Sequence, residues 1–194
     1  MSPRVFMETE RLVLRNWQDA DSAPFAALNA DPRVMEFFPS TLSHAESDAA
    51  IARYRTHIDT HGWGPFAIEE KATGVFVGFV GLAVPRFDAP FMPAVEVAWR
   101  LTRESRGEGY ATEAARAVVG FGFETVGLDT LVAMATEWNR PSRRVMEKLG
   151  MTHDAAGDFD HPNLPEGHKL RRHVLYRLSR DDWQKTKGAA VAAP

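Results

Sequence analysis

The segment Arg106–Ala111 (RGEGYA) has the residue types that bind a phosphate or a diphosphate. It lies between a predicted strand and a predicted helix, where unpaired amides and the positive end of the helix dipole face outward. Gly107 and Gly109 would let the backbone approach an anion closely, and Arg106 would add positive charge. The segment therefore predicts an anion site, although a plain glycine turn with solvated arginines has the same pattern.

The elements around this segment predict an α/β (α+β) fold with one mixed, mostly antiparallel sheet flanked by helices. The predicted order is β-α-α-β-β-β-α-β-α-β-β. Apolar periodicity and turn residues place strands over residues 10–17, 64–70, 75–84, 95–101, 130–136 and 172–179. Cap residues place helices after Asp19 or Asp21, after Ser43, after the glycine loop and after Asn139. Gly150 is placed to end the last of these helices.

Length and composition favour one soluble domain over residues 1–185, followed by a disordered tail over residues 186–194. The 194 residues contain no cysteine, which excludes disulfides and thiolate zinc sites and fits a reducing, cytoplasmic compartment. A formal net charge of -3 gives no general attraction to nucleic acid. We recognise neither an apolar signal core nor a run long enough to span a bilayer, so no membrane partner is expected.

Three separated blocks resemble the GNAT superfamily of N-acetyltransferases, in particular its ribosomal-protein-alanine-acetyltransferase-like branch. The blocks are EVAWRLTRESRGEGYATEA, TEWNRPSRRVMEKLGM and the closing RHVLYRL, and the opening TERLVLRNW fits as well. The family loop has Arg or Gln, two residues, Gly, one residue, and then Gly or Ala. Arg106, Gly109 and Ala111 meet that pattern, and the blocks occur in the family's order.

The resemblance implies that acetyl-CoA, or coenzyme A, is the cosubstrate, without a metal. Backbone groups of Trp99 and Leu101 are then expected to contact the pantetheine arm, and Asn139 is expected to reach it from the opposite side. A bulge or splay between strands 95–101 and 130–136 would free the necessary donors and acceptors. The residues expected to hold the diphosphate through their amides are Arg106, Gly107, Glu108, Gly109, Tyr110 and Ala111.

The same resemblance implies direct transfer without a covalent enzyme intermediate. Glu96 is the candidate base, directly or through water, although a solvent-facing strand carboxylate is the alternative. A backbone N–H near residues 97–99 is expected to stabilise the carbonyl oxygen. Many family members have a tyrosine acid seven residues after the asparagine, but Met146 stands there. Ser142 is expected to stabilise the departing thiolate, unless it only satisfies local backbone.

Other polar clusters have simpler interpretations. The basic helix face of Arg140, Arg143, Arg144 and Lys148 could meet a 3′-phosphate, but a solvated face is the commoner arrangement. The histidines near the carboxyl end, with Asp158 and Asp160, lack regular metal-ligand spacing, so no metal is expected.

The predicted function is therefore transfer of an acetyl group to a primary amine on a protein N-terminus or on a small molecule. The alternative is an acyl-CoA-binding sensor or structural module without turnover, a reading favoured by Met146. The expected partner is an amine acceptor, and a homodimer is compatible with this reading. Acceptor specificity is set by surface loops, which vary most within a fold.

Overall fold

The computed structural model describes the backbone of residues 4–191 and the side chains of residues 4–186. The chain divides into two compact units. The first contains Met1–Ala83 and Ala98–Val118, and the second contains Val84–Val97 and Val119–Pro194. The predicted single domain over residues 1–185 stays a prediction.

The first unit begins with four strands that pair antiparallel in sequence order. These strands are β1 (Val5–Glu8), β2 (Leu12–Arg15), β3 (Pro65–Glu70) and β4 (Phe76–Ala83). Two helices connect β2 to β3: α1 (Ser22–Ala30) and α2 (His44–His61). Aromatic rings from β4, both helices and the segment after β2 pack together in this core, among them Trp17, Phe25, Tyr54, Phe76 and Phe79.

Strand β5 (Glu96–Leu101) begins in the second unit and continues into the first at Ala98. Gly78 of β4 allows the β5 backbone to come close, because a Cβ built there would lie 2.2 Å from the carbonyl oxygen of Arg100. A side chain at that position would push the two strands apart. Helix α3 (Tyr110–Phe121) follows and buries Ala114, Ala115 and Val118.

The second unit contains four further strands, namely β6 (Thr130–Thr136), β7 (Thr152–His153), β8 (Phe159–Asp160) and β9 (Arg172–Ser179). Strand β9 pairs antiparallel with β6, β7 and β8. Glu96 pairs with Val132 in parallel, at the beginning of β5 and near that of β6. Helices α4 (Arg140–Lys148) and α5 (Arg180–Val191) complete the unit, and Trp183 of α5 is buried against Phe123.

The structure confirms the predicted fold class and most predicted elements. All recorded strand pairings are antiparallel except that of β5 with β6. The Ser43 capping box is present, and α2 ends at Gly62 in the left-handed conformation. The predicted closing strand over residues 172–179 agrees with β9 in both bounds. The splay between β5 and β6 stays a prediction.

The predicted element order was incomplete at both ends. One strand was predicted over residues 10–17, but β1 and β2 are separated by a turn in which the Thr9 amide donates to the Leu12 carbonyl. Asp21 precedes α1 but its carboxylate does not cap that helix, because it binds the guanidinium of Arg15. Helix α5 was not predicted, and its backbone covers residues 186–191 of the predicted tail. Residues 192–194 of that tail lie outside the described residues.

Candidate active site

The glycine loop before α3 has an open, outward-facing backbone. Gly107 and Gly109 adopt left-handed φ angles of 89° and 84°. A Cβ on Gly107 would meet no atom within 4 Å, and one on Gly109 would meet only Arg11 Nη2, at 3.5 Å. The first N–H that bonds back into the helix is that of Glu113, which donates to the Gly109 carbonyl. The amides of Tyr110 and Ala111 therefore belong to the unpaired first turn of the helix, which attracts anions.

Two side-chain networks hold the first turn of α3. The carboxylate of Glu113 accepts hydrogen bonds from Thr9 Oγ1 at 2.6 Å and from the Arg11 backbone N–H at 2.9 Å. Arg11 also forms an ion pair with Glu113, and its guanidinium lies 4.5 Å from the centre of the Tyr110 ring. Tyr110 in turn donates from its hydroxyl to the carboxylate of Glu70. These contacts fix the direction of the helix beside the loop.

The guanidinium of Arg106 donates to the carbonyls of Arg33 and Val34 at 3.1 Å each. It thereby holds the segment after α1, and its side chain is committed to backbone acceptors. Its neighbours Gly107, Glu108 and Gly109 are exposed. The basic side chain nearest to Gly109 is that of Arg11, which sequence analysis did not identify.

The remaining predicted cofactor contacts of the first unit lie on β5 and α3. Leu101 is buried, and Trp99 and Ala111 are half-buried. The amide after Leu101, that of Thr102, donates to the Val77 carbonyl at 2.9 Å. The end of β5 is thus tied to β4, which fixes the start of the loop.

Glu96 lies at the start of β5 and is half-buried in the second unit. Burial raises its pKa from 4.5 to about 7. No hydrogen bond or ion pair to its carboxylate is recorded in the part of the chain that the structure describes. A carboxylate without a partner and with a pKa near neutrality has the properties of a general base.

The start of α4 presents two of the predicted residues. Asn139 caps the helix, because its Oδ1 accepts a hydrogen bond from the Ser142 amide at 3.2 Å. Its Nδ2 group remains a donor. The Ser142 hydroxyl has no recorded hydrogen bond within residues 4–186, so local backbone does not satisfy it. Met146 is 1% exposed, which places it in the core.

The basic face of α4 is only partly solvated. Arg140, Arg144 and Lys148 are exposed. Arg143 instead donates to the Glu137 carbonyl at 3.2 Å and contacts the Tyr176 hydroxyl at 3.4 Å. Among the described residues, no group of three or more His, Asp or Glu side chains is placed to hold a metal ion. His153 pairs with Asp158 at 2.9 Å.

Comparison with known sequences decides the family. The sequence model of the acetyltransferase (GNAT) domain matches residues 11–152, which include the whole glycine loop and α4. The chain is a GNAT acetyltransferase. A curated relative of this GNAT protein is the FsC-acetyl coenzyme A-N(2)-transacetylase of Aspergillus fumigatus. The two are 30% identical over 170 residues, covering 80% of this chain and 68% of the relative.

Solved structures show the same fold. An acetyltransferase from Agrobacterium tumefaciens is 28% identical, with a TM-score of 0.72 over 93% of this chain and 96% of its own. Mycobacterium smegmatis RimJ, solved in complex with CoA-disulfide, is 18% identical, with a TM-score of 0.74 over 97% and 95% of the two chains. The GNAT protein is therefore an acetyl-CoA-dependent acetyltransferase. None of its described helices has the length and apolar character needed to cross a bilayer.

Proposed function

We propose that this enzyme transfers the acetyl group of acetyl-CoA to a primary amine by direct attack of the amine on the thioester. The acceptor is a protein N-terminus or a small molecule. Family membership supports acetyl transfer in general, and the related transacetylase is named for transfer to a nitrogen.

The glycine loop fits the diphosphate of coenzyme A. Left-handed Gly107 and Gly109 leave open space where side chains would stand. The amides of Tyr110 and Ala111 precede the hydrogen bond from the Glu113 amide to the Gly109 carbonyl and belong to the first turn, which attracts anions. The proposed diphosphate ligands are therefore backbone amides of residues 107–111, because the Arg106 amide already donates to the Arg103 carbonyl at 3.2 Å. Backbone groups of Trp99 and Leu101, together with Asn139 Nδ2, are proposed to bind the pantetheine arm. When bound, acetyl-CoA supplies the activated acyl group.

The environment of the Glu96 carboxylate is the single observation that carries the proposed chemistry. An amine must lose a proton to attack a carbonyl carbon, and most primary amines are protonated at neutral pH. The Glu96 carboxylate has no recorded partner among the described residues, and burial raises its pKa to about 7. It can thus accept the proton directly or through one water, at a pH where both of its protonation states are populated.

Two further groups are proposed to stabilise charge. A backbone N–H of residues 97–99 donates to the thioester carbonyl oxygen as negative charge develops there. The Ser142 hydroxyl, which is half-buried and has no recorded bond within the described residues, donates to the departing thiolate. Met146 cannot act as an acid. The thiolate is therefore protonated by water or, through solvent, by the proton that the amine releases.

The second candidate is a sensor that binds acyl-CoA without turnover. It is favoured by Met146, which stands where many family members have a tyrosine as general acid. Release of free CoA, measured with a panel of primary amines, separates the two functions. Catalysis predicts amine-dependent release, whereas the sensor predicts binding alone. In the same preparation, acetyl-CoA at about a hundred times its dissociation constant should stabilise the fold by about 2.7 kcal/mol. No thermal shift with acetyl-CoA or CoA would contradict both functions.

A further inference from the structure

Arg100 carries a shielded positive charge that no acidic side chain of the described residues neutralises. Its Nη1 donates to Asn29 Oδ1 at 2.5 Å, and its Nε is buried without a hydrogen-bond partner. Two aromatic rings lie near its guanidinium: the ring centre of Phe38 lies 4.1 Å away and that of Phe79 lies 5.6 Å away. An unpaired charge in such surroundings is costly, so a folded protein rarely keeps one without a use.

A chain of hydrogen bonds fixes the position of this guanidinium. Asn29 is fully buried, and its Nδ2 donates to Ser47 Oγ at 3.0 Å. Ser47 Oγ in turn donates to the Ser43 carbonyl at 3.0 Å. Because the Asn29 amide is oriented in this way, its oxygen faces Arg100. The guanidinium is therefore preorganised, which lowers the conformational entropy cost of binding a ligand.

Asn29 satisfies only one of the hydrogen-bond donors of the guanidinium. It accepts one N–H, and a neutral amide oxygen does not cancel the charge. Arg100 remains half-buried rather than sealed, and the Phe38 ring above it is 37% exposed. Burial lowers the pKa of Arg100, but a guanidinium stays protonated at neutral pH. Nη2 has no hydrogen bond among the described residues and is not among their fully buried polar atoms, so it offers donors to an anion from outside the chain.

The place of Arg100 in β5 indicates which molecule brings that anion. It stands between Trp99 and Leu101, the two residues proposed to bind the pantetheine arm. Side chains alternate along a strand, so Arg100 points to the face opposite to theirs. That face carries α1 and the segment of Phe38, whereas the glycine loop already provides for the diphosphate. This difference in faces favours the acceptor over the cofactor as the source of an anion at Arg100.

We propose that Arg100, with Phe38 stacked on it, binds a carboxylate of the acceptor, so that the preferred substrates are amines that also carry a carboxylate. This inference rests on the proposed function and adds the substrate class. Planar carboxylates match the planar guanidinium, and one face of the guanidinium is already covered by Phe38. Arg100 is in this sense a specificity-determining residue, and Glu96 is the proposed base.

The test compares pairs of primary amines that differ only in having a carboxylate or the corresponding carboxamide. We expect the intact enzyme to prefer the acid by about 10- to 100-fold in kcat/KM. Arg100→Gln should reduce that preference to about threefold or less, mainly through loss of activity on the acid. Arg53→Gln, which changes an exposed arginine of α2, is the matched control and should keep the preference.

Stability and cofactor affinity are measured in the same variants, because Arg100 also holds Asn29 and Phe38. Should Arg100→Gln fail to fold, Arg100→Lys keeps the charge without the planar fork and should show an intermediate preference. An unchanged acid-to-amide ratio in the folded variant overturns the proposal, as does an intact enzyme without the preference. If Arg100→Gln raises only the KM for acetyl-CoA, the anion belongs to the cofactor, and the proposal is overturned as well.

A binding measurement distinguishes failure of this inference from failure of the proposed function. If no amine is acetylated although acetyl-CoA binds, the proposed function is wrong. With CoA present, the acid of each pair should still raise the melting temperature of the intact enzyme more than the amide does. That difference should vanish in Arg100→Gln, and equal shifts in the intact enzyme would overturn the carboxylate site.

Discussion

Arg11 and Glu113 join the turn before β2 to the first turn of α3, with Arg11 Nη2 and Nε at 2.6 and 2.7 Å from the same carboxylate oxygen, Oε2. The other oxygen accepts the Arg11 amide and the Thr9 hydroxyl. Glu113 therefore holds the helix whose unpaired amides are proposed to bind the diphosphate. The stability of the first unit and the affinity for acetyl-CoA should both depend on this carboxylate.

Glu113→Gln should lower the free energy of unfolding by about 1–3 kcal/mol, the usual cost of hydrogen bonds to a charged group that is partly buried. It should also weaken acetyl-CoA binding, because the first turn loses its support. Urea unfolding and calorimetry measure the two effects. Glu36→Gln, at an exposed carboxylate, is the control and should change neither quantity. A variant as stable as the intact protein would show that the network contributes nothing.

The same pair predicts a dependence of stability on pH. Burial acts to raise the pKa of Glu113, but the bonds from Thr9 and Arg11 outweigh it and hold the pKa below 4.5. A depressed carboxyl pKa contributes stability that is present above the unfolded value, and that stability is lost as pH falls through the folded value. The difference in the free energy of unfolding between the intact protein and Glu113→Gln should thus have its largest value at pH 6 and should decrease below about pH 4.5. A difference independent of pH would contradict this origin.

Glu96 should behave in the opposite way. Burial raises its folded pKa to about 7 from 4.5, so the folded protein holds a proton that the unfolded chain has released between these values. Its contribution to stability therefore decreases as pH rises from about 4.5 to 7. Glu96→Gln removes the penalty, and it should raise the melting temperature at pH 8 more than at pH 5. Equal shifts at both pH values would refute the raised pKa.

Kinetics of the same variant test the base. As a proton acceptor Glu96 must be ionised, so kcat/KM of the intact enzyme should rise through about pH 7. Glu96→Gln should lower turnover by about 10²–10⁴-fold and leave acetyl-CoA affinity nearly intact. The loss should decrease at high pH, where the free amine no longer needs a base. Full turnover in the variant across the pH range would leave Glu96 as a strand carboxylate only.

Local signals in the sequence predicted most elements. The Ser43 capping box and the alternating strand 172–179 are each determined by neighbouring residues, and both were confirmed. Helix α5 was missed because its start, RDDWQKT, shows little apolar periodicity and Trp183 is its one buried described residue. Strand β1 was missed because none of its four residues is buried, so it has no apolar face on the core.

The glycine loop was predictable for the same local reason, but its support was not. Arg11 and Glu113 are 102 positions apart, and no spacing rule relates them. The raised pKa of Glu96 depends on burial, which only the folded chain supplies. Arg100 stands in an ordinary strand pattern, and the structure alone shows that it lacks an acidic partner among the described residues.

Gly109→Val should reduce acetyl-CoA affinity much more than it reduces stability. The left-handed φ of 84° disfavours any side chain by roughly 1–2 kcal/mol, and a branched one would also fill the space proposed for the diphosphate. Gly74→Val is the matched control, because Gly74 has a φ of 70° and also has open space around its Cβ. Both variants should lose similar stability, and only Gly109→Val should lose affinity. Equal affinity in the two would remove the loop from the site.

Asn139 combines two roles that substitution can separate. Its Oδ1 caps α4 through the Ser142 amide, and its Nδ2 is proposed to donate to the pantetheine arm. Asn139→Ala removes both groups and should cost about 0.5–2 kcal/mol of stability, the usual cost of a lost N-cap, together with acetyl-CoA affinity. Asn139→Asp keeps an oxygen acceptor for the cap but removes the donor.

Asn139→Asp should therefore have a melting temperature near that of the intact enzyme but a lower affinity for acetyl-CoA. A role limited to capping predicts normal affinity instead. Calorimetry with acetyl-CoA and with a CoA fragment that lacks the pantetheine arm locates the loss. Because the diphosphate is proposed to bind at the glycine loop, the fragment should bind both proteins equally. If affinity for acetyl-CoA follows stability across the Ala and Asp variants, Asn139 acts through the helix alone. The pantetheine donor would then have to be a backbone group of β5.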